Sequence, residues 1–186
     1  MMLTIKTIRN ILETYAIDAR YRDDLFAYHT CELALTAVEA GNYGVGSILV
    51  DSQNRIITSG HNMLFYPFFR SDHHAEMIVM NRFEDEGREP GALQDYRLYT
   101  SLEPCPMCTA RLIIAGCPCV IYIADDPQGG MAKHIQDLPP VWRNLAESCQ
   151  FIKADCSPQL QELATRLFRY NAEDLDARLA ARSPRC

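Results

Sequence analysis

With 186 residues, 48% of them hydrophobic and 23% charged, the chain suits one folded domain with a sizeable apolar core, which excludes a disordered or low-complexity protein. A formal net charge of −6 and a sequence pI near 5.3 argue against broad, charge-driven attachment to nucleic acid, which needs clustered Lys and Arg. No run approaches the roughly 18 apolar residues of a membrane span, and the N-terminal stretch lacks a signal-peptide core, so a soluble cytoplasmic protein with reduced cysteines is the expectation.

In chain order, Ile5, Ile8, Ile11 and Leu12 fall at helical spacing, so residues 1–20 read as an N-terminal helical appendage to a single domain over 21–186. A second helical pattern covers about 22–40 and stops at Gly41. Two short strands follow, at 45–51 and 55–61, joined by the turn DSQN. An aromatic loop, NMLFYPFFRSD, then leads to a helix with Asp72 as its expected N-cap. A strand at 96–102 runs into proline and a helix over about 106–115, ended by Gly116. The continuous apolar run CVIYIA, 119–124, reads as a strand buried on both faces. A fifth strand is expected near 149–155, and 157–181 is mostly helical. Alternating helices and strands predict an α/β fold with helices on both faces of one sheet.

The chemistry concentrates at two helix starts. His74 and Glu76 form H-x-E at one. At the other, Pro104, Cys105, Pro106, Met107 and Cys108 form P-C-x-x-C, and a helix N-terminus favours thiolate over thiol. Two thiolates and one imidazole would leave the fourth position of a tetrahedral zinc open, the condition for a catalytic site. Glu76 is then suited to carry a water's proton to a substrate. A rival scheme joins Cys105, Cys108, Cys117 and Cys119 in a closed structural site. The segment between the pairs, however, reads as a helix entering a buried strand, which puts Cys119 in the core. His73 reads as a rim residue, and Cys31, Cys149, Cys156 and an exposed Cys186 as bystanders.

H-x-E followed by P-C-x-x-C is a signature of zinc nucleobase deaminases. With GVGSILVD, GHN, HAE and LYTSLEPCPMC in order, the chain resembles the cytidine deaminase-like superfamily. The likeness runs over about residues 25–170, to the branch with bacterial tRNA adenosine deaminase, guanine deaminase and fungal-type cytosine deaminase. It implies a three-layer α/β/α sandwich with a five-stranded mixed sheet, one zinc per subunit and a dimer or higher oligomer, with a homodimer expected here. By position it makes His74, Cys105 and Cys108 the zinc ligands, Glu76 the proton shuttle and Asn62 a hydrogen-bond partner of the substrate base.

Substrate is less well marked. In the tRNA enzymes the loop after the apolar strand is typically basic beside its acid; here Asp126 matches the acid while Asp125 and Gln128 replace the basic places. That points away from nucleic acid and towards a small-molecule substrate, a free base such as guanine, or cytosine or a nucleoside, with tRNA adenosine deamination as the alternative. Asp126 is a candidate substrate contact. So is Phe68, in an aromatic loop (Phe65, Tyr66, Phe68, Phe69) suited equally to stacking on a base or to a subunit interface. A non-catalytic zinc-stabilised interaction protein is the alternative from another class. The segment DLPPVWRNLAESCQF is expected to shape substrate access.

Overall fold

A computed structural model describes residues 4–89 and 91–181. Its elements are α1 (Ile5–Glu13), α2 (Asp24–Glu39), β1 (Gly46–Val50), β2 (Ile56–His61), α3 (Ala75–Glu84), β3 (Arg97–Leu102), α4 (Pro106–Ile114) and β4 (Cys119–Ala124). A 3-10 turn (Ala132–Asp137), α5 (Pro140–Ala146), β5 (Gln150–Lys153) and α6 (Pro158–Ala180) follow. Cys186 lies outside the described residues.

One five-stranded sheet has the order β2-β1-β3-β4-β5. Strand β1 is antiparallel to both β2 and β3, while β3, β4 and β5 run parallel. The parallel pairs require crossovers, which α4 and α5 supply. Because side chains alternate along a strand, each strand feeds two layers. Ile48, Val50, Tyr99, Ile121 and Ile123 join a core with α1, α2 and α6, whereas Leu49, Leu98 and Val120 pack with Val79, Met80 and Phe83 of α3 and Leu112 of α4. The result is the mixed-sheet α/β/α sandwich. Helix α1 contributes Ile8 and Leu12 to the first of these cores. The apolar run of β4 is buried from Val120 to Ala124, as a strand covered on both faces must be.

Two buried aspartates tie the α2 end of the first layer together. Tyr99 donates its hydroxyl to Asp23 at 3.0 Å, and the Ser157 amide donates to Asp24 at 2.8 Å. Both carboxylates are fully buried, so these donors replace the water that the charges lose. At the far end of α2, Gly41 has a φ of +82°, the left-handed conformation in which a helix stops on glycine at low cost. Three residues on, a Cβ on Gly44 would lie 2.2 Å from the Leu167 carbonyl oxygen. Only glycine lets α6 approach this loop so closely.

One boundary differs from the sequence expectation in a way that matters for the site. The N-cap of α3 is His74, in extended conformation, not Asp72. Asp72 is instead engaged by Arg70, at 3.0 and 2.9 Å. The His74 carbonyl accepts the first helical bond, from the Ile78 amide.

Candidate metal centre and active-site cavity

Two helix starts converge at the end of β3. His74 caps α3 and Cys105 caps α4, both with extended backbone, and Pro106 opens α4 where a missing N–H costs nothing. Cys108 is three residues into that turn from Cys105. Cap and third-position side chains face each other across a first helical turn, which brings the two sulfurs together. Cys105 Sγ is 3.5 Å and Cys108 Sγ 3.6 Å from His74 Nδ1, and all three ligating atoms lie within 4.8 Å of one another.

That spacing fits zinc. With Zn–S near 2.3 Å and Zn–N near 2.0–2.1 Å, the N···S edge of a tetrahedron is about 3.6 Å. The charge states of the metal-free site agree with a cation-seeking cluster. The Cys105 thiol is held down to about 4, chiefly by the hydrogen bond from Cys108 and then by His74. Cys108 is pushed up by its hydrogen bond to Cys105 and by burial. Burial acts against a charged His74, but the Cys105 hydrogen bond and charge win and raise it.

Among the described residues this is the one group of three or more such side chains close enough to share an ion. Cys117 and Cys119 are not in it. Cys119 pairs in register with Arg97 at the start of β3, whereas Cys105 follows the end of β3, so the two pairs occupy opposite ends of the sheet. A closed four-cysteine site does not form.

Glu76 lies in the first turn of α3, 4% exposed. Thr100 donates to its Oε1 at 3.1 Å, and Cys108 Sγ is 3.4 Å from its Oε2. Burial raises the Glu76 carboxyl, with the Cys105 charge adding to the effect. Such a carboxylate accepts a proton more readily than one in water.

His74, Glu76 and Cys105 form the floor of a cavity of about 680 Å³, within the range of small-molecule sites. Asn62 lines it and is 3% exposed. Its Oδ1 accepts from the Leu64 amide at 3.0 Å, and its amide nitrogen has no protein partner among the described residues. Asp126 also lines the cavity, but one of its oxygens is occupied by the amides of Gln128 and Gly129. The buried Glu103, unassigned by sequence reasoning, holds this loop by accepting from the amides of Asp126 and Lys133 at 3.1 and 3.3 Å.

Phe68 is not brought to the site. It is 62% exposed, and no residue from Phe65 to Phe69 lines the cavity. Phe65 instead turns inward beneath Arg178, whose guanidinium is 4.2 Å from the ring centre. Nor does the segment 137–151 reach the cavity; α5 packs on α4.

The far wall is one that sequence reasoning left open. Helix α6 of the same chain supplies Phe168, Arg169, Asp176 and Leu179. Tyr43, also in the wall, donates to Asp176 at 2.7 Å, and its ring stacks near Phe168 at 6.1 Å. Beside the mouth, Asp125 is bridged by Lys133 at 2.5 Å and by Lys153. Burial would raise its carboxyl, but the two lysines hold it below the usual range. The acid that sequence reasoning counted as negative charge is therefore neutralised. Arg169 is an exposed cation with no protein partner among the described residues.

Comparison with known proteins agrees with this chemistry. Residues 21–124 match the family described as the cytidine and deoxycytidylate deaminase zinc-binding region. The tRNA-specific adenosine deaminase of Bacillus subtilis is 32% identical over 117 residues, 63% of this chain and 71% of that protein. The cytosine deaminase of Candida albicans is 32% identical over 79 residues, 41% of this chain and 49% of that one. Among solved structures, a tRNA:A34 deaminase superposes with TM-score 0.60 at 23% identity, covering 74% of this chain and 94% of its own. Guanine deaminase from Nitrosomonas europaea gives 0.59 at 20%, covering 78% and 82%. The chain belongs to the cytidine and deoxycytidylate deaminase family, and it is a hydrolytic deaminase with zinc as its cofactor.

Proposed function

We propose that the substrate is a small aminated heterocycle, a free base such as guanine, or cytosine or a nucleoside. In this reading His74, Cys105 and Cys108 hold one zinc, Glu76 shuttles the proton and Asn62 orients the ring. Zinc, when bound, supplies the Lewis acidity that makes water ionisable near pH ~7. Glu76 takes the proton that water gives up and passes it to the ring nitrogen beside the amine-bearing carbon. A second proton, from the new hydroxyl, goes to the amine, so that ammonia leaves and a carbonyl remains. The Asn62 amide nitrogen donates to a ring acceptor, holding that carbon over the site.

The observation that carries the reading is the buried Glu76 carboxylate, 3.4 Å from Cys108 Sγ at the floor of a walled cavity. The cavity, about 680 Å³, has room for a base, and α6 closes one side. The reading also includes a homodimer in the cytoplasm; exposed Met107 and Ile114 of α4 and Val141 and Leu145 of α5 support a second copy there.

A second reading, adenosine in tRNA, is favoured by the identity to tRNA-specific deaminases and by Lys133, Lys153 and Arg169 near the mouth. Ammonia release by zinc-loaded protein, across guanine, cytosine, adenine, their nucleosides and a tRNA anticodon stem-loop, decides. Turnover of one free base or nucleoside with silence on RNA is the expected result. Activity on the stem-loop alone overturns the first reading in favour of the second.

A further inference from the structure

Thr100 is fully buried at the centre of the sheet, paired in register with Ser47 on β1 and Tyr122 on β4. By alternation it shares the face of Leu98, the face that meets α3 and α4. Its hydroxyl reaches Glu76 Oε1 at 3.1 Å. It does not line the cavity, so it has no direct part in holding a substrate.

The other oxygen of Glu76 has a different neighbour. Among the described residues Cys108 is its sole side-chain partner, with Sγ at 3.4 Å. Thr100 is the one hydroxyl, among the described residues, that donates to the carboxylate. With Oε1 occupied by a hydroxyl proton, a shuttled proton is directed to Oε2, the oxygen on the side of the cysteines.

We propose that Thr100 is a positioning residue for Glu76, fixing Oε1 so that Oε2 alone carries the proton. The proposal rests on the shuttle reading of Glu76. A hydrogen bond to a charged group in such a buried place is strong enough to change a rate about tenfold or more when removed.

The test compares Thr100→Val, which keeps the shape and removes the hydroxyl, with Thr100→Ser, which keeps the hydroxyl. Zinc content is measured in each. The first readout is infrared: the carboxylate stretch of Glu76 in 13C-glutamate-labelled, zinc-loaded protein, isolated by subtracting the spectrum of Glu76→Gln. It should shift in Thr100→Val and stay in place in Thr100→Ser. The second is ammonia release from whichever of guanine, cytosine or the stem-loop the parent turns over. Thr100→Val should lose about tenfold or more in kcat with KM changed less than about twofold, and Thr100→Ser should recover most of it. An unmoved band, or equal losses in the two variants, overturns the proposal. Turnover retained by zinc-loaded Glu76→Gln would instead overturn the shuttle reading itself, whereas an inactive Glu76→Gln beside a normal Thr100→Val would sink the Thr100 proposal alone.

Discussion

The floor of the cavity and its mouth are built on different principles. The floor is formed by His74 and Glu76 on α3 and Cys105 on α4, in contact with Cys108 of α4 and, for Glu76, with Thr100 of β3. It is largely buried, and its groups touch one another within 3.6 Å. The mouth gathers Tyr43, the loop from Asp125 to Gly129 and one side of α6, segments far apart in sequence and joined by long-range contacts such as Tyr43 to Asp176. The floor therefore fixes a reaction, and the mouth is free to select what undergoes it. Deaminases with different substrates can share the first while differing in the second.

The largest effect is expected at the floor. Cys108→Ala should lose zinc and all turnover, while Cys119→Ala, at the opposite end of the sheet, should keep both; metal analysis with ammonia release checks the pair. Equal zinc loss in the two variants would contradict the three-ligand floor. Zinc affinity should also fall with pH. Cys105 is already a thiolate above about 4, but Cys108 is held protonated in the metal-free site by Cys105 and by burial. Loading must displace at least that proton, so competition with a chelator should show affinity dropping about tenfold or more for each unit of falling pH. A flat profile would mean the sulfurs are not the ligands.

At the mouth the effects should be smaller and divide differently. Gly44→Ala would press a methyl group on the Leu167 carbonyl, so α6 must shift. Stability should fall by about 1–3 kcal/mol in denaturant unfolding, with KM rising and zinc content unchanged. Phe68→Ala should cost less than about 0.5 kcal/mol and leave turnover intact, because the ring is mostly in solvent. A rise in KM there would show that the aromatic loop reaches the substrate after all.

The same division explains how much could be read in the sequence. His74, Glu76, Cys105 and Cys108 announce themselves because their spacing is local, set by one helical turn each, and the strands announce themselves by alternation and apolar runs. Thr100 was legible only as a strand residue; its role depends on which face it takes and on α3 crossing that face. Glu103 has no role assignable from sequence for a similar reason, since its partners are backbone amides of a loop 23 and 30 residues away. Phe68 misleads because aromatic composition signals contact without direction. Asp125 misleads because charge counted along the chain omits Lys153, which the β4–β5 pairing brings beside it. The N-cap is His74 rather than Asp72, whose carboxylate pairs with Arg70.

The most direct test of the central claim sets the parent beside Glu76→Gln, both with zinc content measured. The account predicts one zinc per chain in each, with ammonia release in the parent and a loss of at least about a hundredfold in the variant. Turnover at the parent rate by the fully loaded variant would contradict it.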